Sequence, residues 1–199
     1  MWSKSSFLMM LFVSLASIGL AQTTVKEGKM STSNIKSQII KAPEFNVKNW
    51  IDAEGKKTNE IKLSDYKGKF KVVYCFQHWC PGCHSKGLPD LKKMVSALEG
   101  NSKVVFLAIQ TVFEGHEANT YDKILATQKK YELKIPFGHD AGDDGKSRSN
   151  IMTNYKTGGT PWFILIDQND HIVFADFHLN VEGAIEVLNG LGKSARGIN

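Results

Sequence analysis

Cys80 and Cys83 enclose Pro81 and Gly82. Two thiols at that spacing can pass between dithiol and disulfide or contribute to a soft-metal site, and their surroundings decide which. Ahead of them runs Val72-Val73-Tyr74-Cys75-Phe76, an apolar and partly β-branched stretch, followed by Trp79; behind them a helical pattern begins. A buried strand therefore delivers both cysteines to the start of a helix, where unpaired N–H groups and the positive end of the helix dipole stabilise a thiolate. Pro81 suits a first helical turn, in which a missing N–H costs nothing. On this reading Cys80 is the exposed nucleophile and Cys83, one turn further in, is the buried partner that closes the disulfide. No cofactor is expected beyond the redox-active Cys80–Cys83 pair. No metal is expected either, because a single Cys-x-x-Cys with only nearby histidines lacks a second ligand pair.

The residues around the pair are read with it. His84 lies four positions after Cys80, on the same helical side, and is a candidate modulator of its thiol. Lys86, by its charge, and His78, in the loop before Trp79, are further candidates; for all three a solvated surface role competes. Trp79 and Trp162 offer flat apolar surface to frame the site. Cys75, inside the apolar strand, reads as an inert, buried small hydrophobe. His116, His139 and the acidic run Asp140–Asp144 read as loop solvation.

These side chains need a scaffold, and the periodicities supply one. Residues 22–41 are polar and read as a loose leader or edge segment. Phe45, Val47 and Trp50 open the ordered domain, 42–199, and a turn at Asp52–Lys57 leads to a possible return strand at Glu60–Leu63. Strands are expected at Lys71–Phe76, Lys103–Gln110, Ile135–Gly138, Pro161–Asp167 and His171–Phe177. Helices are expected from Cys80 or Pro81 to about Leu98, kinked near Gly87 and Pro89, and over Gly115–Tyr131, Ser147–Tyr155 and Val181–Leu191. Crossover helices between buried strands imply an α/β fold: a central mixed sheet with helices on both faces and the dithiol at the carboxyl edge.

The 199 residues suffice for one domain with a full core, and 42% hydrophobic content is that of a globular protein. The formal charge of +5 is small and scattered, which argues against nucleic acid as a partner. Residues 1–21 read as a signal peptide: Lys4, an apolar run from Phe7 to Leu20, and Gly19-Leu20-Ala21 before a cut ahead of Gln22. The run is short for a bilayer span of about 20 residues, so no membrane span is expected after cleavage, and the protein is expected in the periplasm or cell envelope.

Four ordered pieces resemble the thioredoxin superfamily. They are Ala42-Pro43-Glu44-Phe45, Leu63-Ser64-Asp65-Tyr66-Lys67-Gly68-Lys69, Val72–Cys83 with Trp79 before the first cysteine, and Gly159-Thr160-Pro161 ahead of a strand. More narrowly they are similar to exported TlpA/ResA-like thiol-disulfide oxidoreductases, relatives of the AhpC/TSA redoxins. The resemblance implies a thioredoxin-like three-layer α/β/α sandwich and a cis peptide bond before Pro161. It places Pro161 across from the dithiol, with the Thr160 backbone facing the sulfurs, so that Trp79, Thr160 and Pro161 would receive a substrate segment. It also implies protein disulfides as partners, a membrane-linked electron donor, and work as a reductant. The chain departs from the pattern in three places. Tyr74 stands where many thioredoxins carry a buried Asp that accepts the second cysteine's proton. Lys86 stands where ResA-like members carry Glu. The helix proline falls one residue late, at Pro89, with Gly87 marking the extra residue.

Two other readings share these residues. Cys80-Pro81-Gly82-Cys83-His84 fits the Cys-x-x-Cys-His attachment motif for c-type haem, although no distal ligand is nominated. A peroxiredoxin-like thiol peroxidase would share the fold, but the threonine or serine three residues, and the proline seven residues, before its reactive cysteine are here Gln77 and Val73.

Overall fold

The computed structural model describes residues 40–193. The signal peptide expected over 1–21, its cleavage point and the leader up to residue 39 lie outside the described residues. The chain forms strands β1 (Ile40–Lys41), β2 (Asn49–Ile51), β3 (Lys57–Thr58), β4 (Phe70–Phe76), β5 (Val104–Thr111), β6 (Phe137–Asp140), β7 (Trp162–Ile166) and β8 (His171–Asp176). Its α-helices are α1 (Leu88–Ala97), α2 (Asp122–Tyr131), α3 (Asn150–Tyr155) and α4 (Val181–Lys193). All eight strands join one sheet in the order β1-β8-β7-β4-β5-β6-β2-β3. The three central strands β4, β5 and β6 are parallel, and β7, β8, β1, β2 and β3 add antiparallel pairings at the two sides.

Alternation along β4 builds the two cores. Val72, Tyr74 and Phe76 face Leu88, Leu91 and Met94 of α1, Ile124 of α2 and Leu188 of α4. Val73 and Cys75 face the other way, against Phe45, Trp50, Leu107, Ile109, and Ile151 and Tyr155 of α3. A strand covered on both faces reads as a continuous apolar run, which is why 72–76 lacks a polar alternation. The result is the expected three-layer α/β/α sandwich around a mixed sheet, with three helices on one face and the short α3 on the other.

Several element bounds differ from the sequence reading. Ile40 and Lys41, at the end of the stretch read as a loose leader or edge segment, form an edge strand against Ile172 and His171 of β8. The strand returning from Trp50 is Lys57–Thr58, and Leu63–Tyr66 forms a 3₁₀ turn. The helix expected over Gly115–Tyr131 starts only at Asp122; residues 113–120 are turns and bends, in which the Gly115 and His116 carbonyls accept from Ala118 and Asn119. His139 and Asp140 are not loop solvation. Asp140 is buried in β6, and its carboxylate accepts from the Ser149 hydroxyl (2.6 Å) and the Ile151 N–H (2.8 Å) at the start of α3. His139 is half-buried, with Nδ1 3.0 Å from Gln110 Nε2.

Candidate functional site

The first cysteine is reached by a tight turn. β4 ends at Phe76, and the Cys80 N–H folds back to the Gln77 carbonyl (3.1 Å). The chain is helical from Pro81, but Cys83–Gly87 forms a single π segment before α1: the Leu88 N–H donates to the Cys83 carbonyl, one residue further back than in an α-helix. The expected kink is therefore an inserted residue. Gly87 permits it, since a Cβ there would sit 2.1 Å from the hydroxyl oxygen of Tyr74. That hydroxyl donates to the Cys83 carbonyl (3.3 Å), and burial pushes its pKa well above the ordinary tyrosine value.

The two sulfurs are 2.7 Å apart. The Cys83 N–H also points at the Cys80 sulfur (3.2 Å), so two donors of Cys83 converge on it. Cys83 is fully buried, and its thiol is pushed up to about 12, first by burial and then by its hydrogen bond to Cys80; the Gln77 backbone N–H and the Thr160 side chain pull the other way. Cys80, read from sequence as exposed, is only 7% exposed. Helix N-termini face solvent as a rule, but here the Thr160–Pro161 segment lies over the pair. The Thr160–Pro161 bond is cis, the Thr160 carbonyl oxygen is 3.7 Å from the Cys80 sulfur, and a Cβ on Gly82 would be 3.4 Å from the Pro161 ring.

The modulators named from sequence divide. Lys86 turns away and pairs with Asp90 (2.9 Å) on the helix surface. His84 is not a free surface histidine: its Nε2 meets the His78 carbonyl, its Nδ1 meets the Tyr131 hydroxyl (2.9 Å), and its ring stacks on Tyr131. His78 is turned inward, with Nδ1 3.0 Å from the Thr127 hydroxyl; its pKa is lowered by burial first and then by His84 and the lysines at 123 and 130. Trp79 is 46% exposed, beside Gly115, and Trp162 meets Phe177 edge-on at 4.6 Å. Between Gly82, Pro161 and Phe177 opens a cleft of about 390 Å³, floored by Phe163 and Leu179. Cys75 is fully buried on the opposite face, and burial raises its thiol far above the ordinary range.

Sequence reasoning missed Gln77, Asn119, Thr127 and Tyr131, which tie the cysteine turn to α2 and the loop before it. Asn119, Thr127 and Tyr131 lie in the stretch read as one helix, Gly115–Tyr131, and Gln77 in the loop after the strand, and local pattern gave no signal for any of them. Among the described residues no group of three or more His, Cys, Asp or Glu is placed to hold a metal ion, and no helix is long and apolar enough to cross a membrane.

Residues 40–175 match the AhpC/TSA family. Among solved structures, a thioredoxin-like superfamily protein is 33% identical, with a TM-score of 0.65 over 76% of this chain and 97% of its own. A thiol-disulfide isomerase from Corynebacterium glutamicum is 24% identical (TM-score 0.60; 77% of this chain, 93% of that one). A reduced 2-Cys peroxiredoxin from Plasmodium vivax is 17% identical (TM-score 0.57; 78% and 96%). At the last two identities the likeness is one of fold. No curated protein matches the sequence.

Proposed function

Since the chain belongs to the AhpC/TSA family, within the thioredoxin superfamily, we propose that it is an exported thiol-disulfide oxidoreductase that reduces protein disulfides through Cys80 and Cys83. The observation that carries this reading is the pair of sulfurs 2.7 Å apart beneath the Thr160 carbonyl and the cis Pro161. A substrate strand that pairs with the Thr160 backbone would bring its disulfide to Cys80, with Trp79 at one side and the cleft beside Pro161 at the other.

The exchange runs in two displacements. The Cys80 thiolate attacks one substrate sulfur, the substrate S–S bond breaks, and the other substrate sulfur leaves as a thiolate that takes up a proton. Cys83 then loses its proton and attacks the Cys80 sulfur of the mixed disulfide. The second substrate sulfur leaves, and Cys80–Cys83 closes. The substrate disulfide gains two electrons and the pair loses two, so a donor of the membrane-linked kind must reduce the pair again. The apolar run before Gln22 supports export.

The same residues fit the rival chemistries less well. Both ring nitrogens of His84 already have protein partners, which removes it as a haem ligand in this arrangement. Gln77 and Val73 are buried at the positions where a peroxidase would present its threonine and proline. Cys83→Ala distinguishes the readings. Incubated with oxidised insulin, this variant is expected to accumulate a covalent mixed disulfide through Cys80, while the wild type reduces insulin and consumes hydrogen peroxide slowly. Fast peroxide consumption without insulin reduction would overturn the proposal.

A further inference from the structure

The turn that carries Cys80 is fastened from a part of the chain that takes no part in the exchange. The His78 carbonyl accepts from His84, and the His78 N–H donates to Asn119 Oδ1 (2.7 Å). Asn119 sits in the irregular connection between β5 and α2 and is 1% exposed. Its Nδ2 serves the carbonyls of Gly115 (2.9 Å) and Glu114 (3.3 Å) and reaches Gln77 Oε1 (3.4 Å). Its own carbonyl accepts from Gln110 Nε2 (2.8 Å). A fully buried amide is costly unless its groups are paired. Here one side of the pairing goes to the cysteine turn and the other to the loop.

We infer that Asn119 is a positioning residue for the dithiol, fixing the Gln77–His78 peptide, whose carbonyl receives the Cys80 N–H (3.1 Å). The inference rests on the exchange reading above. Asn119 touches neither sulfur. Releasing the turn therefore weakens the second displacement more than the first: the second is intramolecular and needs the two sulfurs, 2.7 Å apart here, held in line, whereas the first needs only that Cys80 meet a free reagent.

The aryl disulfide 5,5′-dithiobis(2-nitrobenzoate) separates the two steps in the full-length reduced protein. Attack by Cys80 breaks the aryl S–S bond and releases one coloured thiolate. Attack by Cys83, its proton passing to solvent, releases the second and closes Cys80–Cys83. Asn119→Ala is expected to slow the second release about tenfold and to leave the first within about twofold, as for one lost hydrogen bond to the reacting arrangement. Thr127→Val, which frees the His78 ring and one helical carbonyl (Lys123) but leaves the His78 N–H anchored, is expected to leave both phases within about twofold. Two unchanged phases, or equal slowing of both, in Asn119→Ala would overturn the assignment. Amide exchange in the wild type tests it without a variant: the His78 N–H is expected to exchange as slowly as the amides of β4, and rapid exchange would refute the anchoring. A wild type that releases one thiolate only would defeat the exchange reading itself, whatever the His78 amide does.

Discussion

Gly87→Ala sets two effects of opposite sign against each other. In a helix interior alanine is better than glycine by about 0.5–1 kcal/mol, so propensity alone favours the variant. Sterics oppose it. The new Cβ would lie 2.1 Å from the Tyr74 hydroxyl oxygen and 2.7 and 2.8 Å from two ring carbons. Tyr74 cannot swing aside freely: it is fully buried, 4.8 Å from the ring of Phe163 and stacked on Phe76. Forcing a methyl into such a place costs about 1–3 kcal/mol. Displacing the hydroxyl also gives up its hydrogen bond to the Cys83 carbonyl, about 1 kcal/mol more. The balance is a net loss of about 1–3 kcal/mol, read as a lower urea midpoint of the reduced protein at unchanged slope. Tyr74→Phe removes the atom in closest conflict. The double variant should therefore lose less than the two single variants together, by about 1 kcal/mol. A Gly87→Ala protein as stable as the wild type would show that the π segment yields easily, and the argument from Tyr74 would fail.

Cys83 supplies a pH dependence. Its folded value, pushed up to about 12, lies above the ordinary thiol value of about 8.5, so the folded state holds a proton that the unfolded chain releases. Its contribution to stability is full below pH of about 8.5 and is lost as pH rises toward about 12. The difference in urea midpoint between reduced wild type and Cys83→Ala, followed from pH 7 to 10.5 (roughly the alkaline window set by those values), should shift against the wild type. Over the lower part of the same range the second thiolate release should accelerate by about tenfold per pH unit, because only the thiolate attacks. Cys75 should behave differently from both partners. Iodoacetamide near neutral pH is expected to label Cys80 and spare Cys75 until the protein is unfolded, and Cys75→Ala should keep insulin reduction while costing about 1 kcal/mol for the small cavity. Labelling of Cys75 in the folded protein would contradict its burial.

The sequence was most legible where one physical rule dominates. An apolar run that ends in Trp79-Cys80-Pro81 leaves few alternatives to a buried strand feeding a helix, and β4 and the cysteine helix lie where that rule puts them. Gly87 and Pro89 marked an inserted residue, although its form as a π segment depends on Tyr74, which only packing reveals. Cys80 was read as exposed because a helix start is normally open; the Thr160–Pro161 segment that covers it arrives from eighty residues away. Gly115–Tyr131 was read as one helix because Tyr121, Ile124, Leu125 and Gln128 keep helical spacing, yet the turns before Asp122 are held by the Asn119 side chain, and local pattern does not encode that contact. Lys71 opens the strand expected from the sequence. It is fully buried, and its ammonium is held by the Asp170 carboxylate and the Asp167 carbonyl in the β7–β8 turn, partners that a strand pattern cannot nominate.

The departures from the thioredoxin pattern at positions 74, 86 and 87 are connected. A tyrosine at 74 is long enough to reach the helix that follows the cysteines, where its hydroxyl occupies the space a side chain at 87 would need. The wide π turn lets the Cys83 carbonyl receive both the Leu88 N–H and that hydroxyl. The inserted residue carries the proline to position 89, and Lys86 ends beside Asp90 on the outer surface, away from the sulfurs. Tyr74 is a poor substitute for a buried carboxylate as a proton acceptor. Burial drives its own pKa upward, and its hydroxyl already donates to a carbonyl. What remains near Cys83 are donors: the Gln77 N–H and the Thr160 side chain. Donors stabilise a thiolate once it exists but cannot take the proton from a thiol. The base for the second displacement therefore has to come from solvent or from the substrate sulfur released in the first. In the proposed exchange, resolution at Cys83 is therefore expected to run only as fast as that proton can leave.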